Sequence, residues 1–351
     1  MPIDFMFNGA ASSNDIKEKL LACNFDVGAL RPWIGKDGLP YVTLNRGGVP
    51  TKVRTNAATL TKEAWLQLDT AILRAARNRL RVVADLRSAG LTYGIPNGMG
   101  TTVLEYQRMS DINDASISMD GIRLGDDDRP QFDSQFLPLP IVHKDFQFSL
   151  RQIQTSRQSG APLDTTMGEL AGRKVAEMVE QLVIGSLDTY TYGGGTIYGM
   201  TNYTGRLTQT LTSPTATGWT PATLLDEVLE MRQTSQTYKH YGPWTLYFAT
   251  GWDRYLDNDF NTSYPNKTLR NRLKEIDGIS DIKTLDYLSG YESVMLEMNP
   301  EVMRIVIGLE VMTLEWDTMG GLQKNYKVMT IMVPQLRADI NGNTGIVHGS
   351  V

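Results

Sequence analysis

The sequence predicts an α+β fold in which helices and strands are mixed without a regular βαβ repeat. Three observations carry that expectation. Apolar residues recur at helical spacing over 61–86 and 165–184. From Asp281 onward the chain reads mostly as strands. Between the two helices lies a long excursion, 99–142, with strand-like pieces and no core of its own.

In chain order, residues 1–58 read as an irregular, extended arm. One short amphipathic stretch, Asn14 to Cys23, puts Ile16, Leu20 and Leu21 on one face. Turn signals follow at Arg31-Pro32, Lys36-Asp37-Gly38 and Arg46-Gly47-Gly48. So few periodic apolar residues do not make a domain, and the arm is expected to borrow its stability from neighbours. The helix over 61–86 is capped by Thr61. Glu63 lies in its first turn, where the helix dipole favours a negative charge, and Trp65, Leu68, Ile72, Ala75 and Ala76 form its stripe. Arg74, Arg77, Arg79 and Arg81 read as a solvated face partnered by Asp69 and Asp85 rather than as a surface for nucleic acid.

Within 99–142, Thr101 to Tyr106 alternates and Gly125 to Pro130 is a turn. A segment this long without a core is usually functional or packed on another chain. The triplet Asp126–Asp128 lacks the alternate spacing and closing glutamate of a calcium loop, so it reads as a solvated hairpin tip. Lys144 to Gln152 is a half-buried strand with Phe146, Phe148 and Leu150 on one side. In the 165–184 helix, Thr166 and Glu169 stand at capping-box spacing and Gly185 is the stop. Its stripe is Met167, Leu170, Ala171, Val175, Met178 and Leu182. Gly168 and Gly172 each cost about 1 kcal/mol against alanine inside a helix, which close backbone packing explains.

Residues 193–219, with Gly193–Gly195 and the threonine-rich run 204–218, have loop or hairpin composition. Thr220-Pro221 opens a helix to Thr237, with Leu224, Leu225, Val228 and Met231 inward. After the Gly242-Pro243 turn, Trp244 to Thr250 is a buried strand. Short helices are expected at Trp252–Asp257 and Thr268–Ile276. Strands are expected around Asp281–Leu285, Ser293–Met298, Val302–Ile307, Val311–Trp316 and Tyr326–Val333.

Bulk properties exclude several classes. Of 351 residues, 41% are hydrophobic and 21% charged, close to an ordinary globular protein. No run of about 18 apolar residues is present, so no transmembrane helix is expected, and the start lacks the pattern of a secretory signal. The net charge is −5 with no block of lysines and arginines, which argues against a dedicated DNA-binding protein. The one cysteine, Cys23, allows no intrachain disulfide and fits a reducing compartment. The three histidines, His143, His240 and His348, are too scattered for a zinc motif. No phosphate loop, dinucleotide fingerprint or nucleophile elbow is found. His143 reads as structural or exposed, so no catalytic, cofactor-binding or metal residue is singled out and the chain is expected not to be an enzyme.

Four segments in collinear order, Leu60–Asp69, Phe136–Leu150, Thr165–Gly185 and Tyr241–Tyr255, together resemble the Hong Kong 97 capsid fold, within it the encapsulin (linocin-type) branch of shell proteins. They are similar, respectively, to the amino-terminal helix, the return from the extended loop, the spine helix, and the strand-turn-helix of the axial domain. The resemblance spans about 61–340. It implies an amino-terminal arm at 1–60, the amino-terminal helix and lead-in at 61–98, and the extended loop at 99–142. It further implies a peripheral domain with spine helix at 143–189, an axial domain at 190–300, and carboxy-terminal strands of both domains at 301–351.

Encapsulins start near the Leu60 helix, and the arm before it resembles those by which viral capsid proteins tie neighbours together. The implied function is therefore that of a phage major capsid protein, self-assembling into pentamers and hexamers of an icosahedral head around double-stranded DNA without sequence-specific binding. An encapsulin nanocompartment shell is the second reading, and a soluble enzyme or carbohydrate-binding protein a distant third. The implied partners are other copies of the chain with portal, scaffolding or cement proteins; no membrane and no cofactor are implied. The implied location is the virion capsid, assembled in the host bacterial cytoplasm. Some members of this fold join a lysine of the extended loop to a neighbour's asparagine. Residues 99–142 contain no lysine, so a non-covalent shell is expected.

Overall fold

The computed structural model describes residues 33–35, 40–46, 49–54, 62–77, 80–109, 119, 132–159, 165–261, 264–338 and 344–351. The chain begins with β1 (Trp33–Ile34), β2 (Pro40–Arg46) and β3 (Val49–Arg54), followed by α1 (Lys62–Arg77), α2 (Arg81–Ser88) and β4 (Thr92–Gly94). Next come β5 (Val103–Met109), β6 (Phe132–Pro138), β7 (Val142–Ser149), α3 (Leu150–Ser159) and α4 (Thr166–Ile184). The middle holds β8 (Tyr190–Tyr192), β9 (Gly195–Ile197), β10 (Leu207–Thr210), α5 (Pro221–Thr237), β11 (Trp244–Ala249) and α6 (Asp253–Leu256). After β12 (Asp259–Asn261), β13 (Tyr264–Thr268) and α7 (Leu269–Lys274) come β14 (Ile279–Leu285), β15 (Ser293–Glu297), β16 (Met303–Thr318), β17 (Gln323–Leu336) and β18 (Ile346–Ser350).

Two sheets organise the molecule. In the first, the order β4-β16-β17-β7 places the long antiparallel pair β16–β17 at the centre, with β4 parallel to β16. Helices α1 and α4 cover one face, burying Trp65, Leu68, Ile72, Ala171 and Val175 against Phe146, Phe148, Tyr326 and Val328. Gly168 and Gly172 have the role expected of them. A Cβ on Gly172 would stand 2.9 Å from the Ile72 carbonyl oxygen, and one on Gly168 2.7 Å from Leu68 Cδ1. In the second sheet, the order is β10-β18-β15-β11-β14, with β10 parallel to β18 and β11 parallel to β14. All six residues of β11 are buried, and α5 supplies Leu224, Val228 and Met231 to the same core. Thr220 and Thr223 form the capping box of α5, with Pro221 in its first turn.

Several expectations need correction. The single helix over 61–86 is two. Leu80 leaves the helical region at φ −85°, ψ 72°, and the buried Glu180 carboxylate accepts a hydrogen bond from the Val82 amide at 2.7 Å. An acceptor supplied by α4 thus opens α2 where apolar periodicity alone would continue α1. Asp85 is not an arginine partner on a solvated face: it accepts from the Tyr247 hydroxyl at 3.0 Å and from Lys283, while Asp69 is buried. The cap of α4 is Thr165 rather than Thr166, and its hydroxyl donates to the Glu169 carboxylate; Gly185 stops the helix at φ 91° as expected.

The strand expected at 144–152 ends at Ser149, where α3 begins. The two strands expected over 302–316 are one, β16, with register shifts around Gly308. A bulge absorbs the break in alternation there. Gly98 packs against it so closely that a Cβ would lie 2.2 Å from the Gly308 carbonyl oxygen. The threonine-rich run is not all loop: Leu207–Thr210 is an edge strand, with Leu207 and Leu211 buried. Part of the amino-terminal arm is also ordered into β1–β2–β3, an antiparallel sheet whose β2 and β3 flank the Arg46-Gly47-Gly48 turn signal. The stretch Asn14–Cys23 and the Gly125–Pro130 turn lie outside the described residues.

Candidate assembly surfaces

The described part of the 99–142 excursion holds an antiparallel strand pair, β5–β6, registered from Val103↔Pro138 to Met109↔Phe132. Its base is anchored where Leu137 and Leu139 join Val306, Leu309, Ile331 and Val333 in a small core. Away from the base, Phe132 is 62% exposed and Arg108 pairs with Asp133 at 2.9 Å. The short hairpin β8–β9 backs onto β6. Gly195 lies so near that a Cβ would fall 2.1 Å from the Phe136 carbonyl oxygen, which fixes glycine there. Tyr190 and Tyr192 of β8 are exposed beside it.

Two further projections carry exposed apolar groups. The outer face of α4 presents Met167, Leu170 and Met178, so these residues do not belong to the buried stripe assigned from the sequence. That stripe is Gly168, Ala171, Gly172, Val175, Ala176, Val179, Val183 and Ile184, with Glu180 among them. The tip of β16–β17 exposes Trp316, Met319 and Leu322, Met319 at 75%. Large apolar groups gathered on projections mark surfaces that meet other molecules.

Electrostatics distinguish two places. At the junction of α2, α4, β11 and β14, Glu180 is buried beside Asp85, Tyr247 and Lys283. Burial raises the Glu180 carboxyl to about 7, and Asp85 adds to the shift. Amide hydrogen bonds from Val82, Val83 and Arg81 oppose it. The same burial holds the Tyr247 phenol well above its ordinary range, with Asp85 adding to it.

At the base of the β5–β6 hairpin, Arg304 lies 4.3 Å over the Tyr93 ring and donates to Gln335 Oε1. Burial and the nearby Arg337 lower its pKa. A cleft of about 370 Å³ opens alongside, lined among others by Tyr106, Arg108, Gln135, Phe136, Tyr203 and Leu336.

The histidines are dispersed. His143 is exposed on β7 with Asp145 at 3.6 Å, and His240 meets the buried Glu297 at 2.5 Å. His348 accepts from Arg206 at 3.3 Å, and burial lowers its pKa. Among the described residues, no three His, Cys, Asp or Glu side chains are grouped to hold a metal ion, and no helix is long and apolar enough to cross a membrane.

A family model for a family of unknown function (DUF6260) matches residues 55–349. The type 1 encapsulin shell protein EncA of Myxococcus xanthus (strain DK1622) is 24% identical over 195 residues, 53% of this chain and 60% of that protein. The match therefore spans less than two thirds of this curated relative. Among solved structures, the virus-like particle from Pyrococcus furiosus is similar with a TM-score of 0.59 at 17% identity, covering 82% of this chain and 100% of that one. The capsid of Myoviridae phage XM1 is similar at 0.57 and 12% identity, covering 75% and 90%. A capsid of an empty GTA particle is similar at 0.52 and 11%, covering 77% and 90%. With its mixed α+β architecture, this chain belongs to the DUF6260 family and has the Hong Kong 97 capsid fold.

Proposed function

We propose that this chain is a structural, non-enzymatic shell subunit, and more specifically the major capsid protein of a tailed bacteriophage. The observation that carries the reading is the likeness, over three quarters or more of the chain, to subunits of a virus-like particle and of phage capsids. The exposed apolar projections support it, because a subunit completed by its neighbours leaves such groups uncovered when alone. In this reading 143–189 belong to a peripheral domain, 190–300 to an axial domain, and the β5–β6 hairpin lies across an adjacent subunit. The polar part of the 204–218 run faces the capsomer axis, and residues 1–60 reach other copies. The head encloses double-stranded DNA and assembles in the host cytoplasm, with portal, scaffolding or cement proteins as further partners.

The phage reading is favoured by the β1–β3 segment ahead of α1, which resembles an inter-subunit arm. An encapsulin compartment is the second reading, favoured by the identity to the Myxococcus xanthus shell protein. Electron microscopy of the purified protein tests the common part: closed particles are expected, and a dispersed monomer overturns it. The contents then separate the readings, nuclease-protected double-stranded DNA for a head and enzyme cargo for a compartment. With no lysine in 99–142, reduced and boiled particles should run as a single monomer band; a ladder would show covalent joining.

A further inference from the structure

Among the described residues, the arginines near the base of the β5–β6 hairpin are short of acidic partners. Arg108 has Asp133. Among the described residues, Arg304 and Arg337 form no ion pair with a carboxylate, and each is partly exposed. The Arg337 backbone N–H donates to the Val302 carbonyl, two residues before Arg304, which places the two arginines beside each other across β16–β17. Gln335 is fully buried, its Oε1 taken by Arg304, and its Nε2 has no hydrogen-bond partner. The register sets Arg304 opposite Gln335, and Arg337 stands two residues farther along the chain, so two partly exposed guanidinium groups share one end of the β16–β17 pair with a buried, half-satisfied amide beneath them. Like charges held together against their own repulsion favour an anion that accepts from several donors at once, and planar guanidinium groups match a carboxylate best.

The chain carries a complementary sequence. Between β5 and β6, residues 110–131 hold six aspartates, Asp111, Asp114, Asp120 and Asp126–Asp128, against two arginines, Arg123 and Arg129. Asp126–Asp128 is the densest run of acid in the protein. We infer that the cluster of Arg304, Arg337 and Gln335 is a receptor for carboxylates of the Asp126–Asp128 run of a second copy of this chain. The contact is heterologous: the acidic segment between β5 and β6 of one copy meets the arginines of the next, so each copy both gives and receives it, the kind of contact from which rings are built. It deepens the shell reading and rests on it for why copies meet.

The test is binding of a fluorescent peptide of residues 120–131 to the full chain, followed by anisotropy at low and high salt. Binding is expected to weaken with salt and to weaken at least tenfold on Arg304→Gln/Arg337→Gln. The peptide with D126N, D127N and D128N should not bind. Because Arg304 stacks on Tyr93, Arg337→Gln alone is run in parallel, with circular dichroism to show that each variant is folded. Equal binding to wild type and folded variants, or equal binding of both peptides, overturns the contact. So does a short DNA duplex that binds the same arginines more tightly than the peptide, which would make the occupant a phosphate backbone. Peptide binding by a wild-type chain that forms no particles would leave the contact standing and remove the shell reading instead.

Discussion

Strands β11 and β6 are of similar length and live in opposite surroundings. All six residues of β11 are buried, and it is paired on both sides, by β14 and β15. Strand β6 is paired with β5 in a two-stranded hairpin, is exposed over Phe132–Ser134, and becomes buried only at Leu137–Pro138. An isolated two-stranded hairpin is marginal in water, so β6 depends on its base and, in the proposed shell, on another copy. The difference separates two kinds of side chain: those that hold the subunit together and those that hold subunits to each other. Substitutions can break or sharpen that division.

The largest effect is expected at Trp244. Its ring is buried against Gly242 and Gly278, where a Cβ would approach to 2.8 and 2.5 Å, and its indole N–H donates to Ser235 Oγ at 3.1 Å. Trp244→Ala should cost about 3–5 kcal/mol, read as a fall in the urea midpoint; a change under 1 kcal/mol, against the expectation for a filled core, would mean the second sheet is not the subunit's core.

Glu180→Gln comes next and depends on pH. The folded carboxyl is raised to about 7, so the folded state holds its proton more tightly than the unfolded chain. Its contribution to stability is fully present below the unfolded value near 4.5 and is lost as pH rises through 7, on the order of 3 kcal/mol. Glutamine keeps the acceptor for the Val82 amide without the charge. It should match wild type near pH 5 and exceed it near pH 8 in thermal unfolding; equal or greater loss at both values would show that the ionised carboxylate stabilises α2.

Gly172→Ala should be smaller, a loss of about 1–2 kcal/mol. Helix propensity gains about 1 kcal/mol, but the new methyl meets the Ile72 backbone and forces α1 and α4 apart. A raised melting temperature would show that the helix pair yields without penalty. The smallest effect on the subunit is expected from Phe132→Ser, within about 0.5 kcal/mol for an exposed site. Particle yield by sedimentation should nevertheless fall, and normal yield would remove Phe132 from the inter-subunit surface.

Legibility in the sequence followed the same line between local and distant causes. Gly185 ends α4, Thr220-Pro221 opens α5, and the apolar run of β11 is a buried strand; each rests on neighbours within a few positions. The break at Leu80 was hidden because the capping carboxylate lies 98 residues away. Leu207–Thr210 reads as loop because its partner Val347–Ser350 is far along the chain. Met167, Leu170 and Met178 read as part of the apolar stripe because hydrophobicity does not say whether the covering surface is the same molecule or another. Nothing local marks Arg304, Gln335 and Arg337 as a cluster; only the register Arg304↔Gln335 across β16–β17 brings the first two together.

The order of the second sheet has a consequence for synthesis. Strand β18 enters between β10 and β15, not at an edge. Until it arrives, β15 offers an open edge paired only to β11, and Leu207 of β10 has no neighbouring strand. On the ribosome that interval lasts from Glu297 to Ile346, roughly 50 residues, or a few seconds at ordinary elongation rates. A nascent chain that has not yet reached Ile346 therefore cannot close this sheet, although β5 and β6 have already been made. Ribosome-bound chains arrested before Ile346 should remain open to protease within 244–297, and chains in which Ile346–Ser350 has left the ribosome should not.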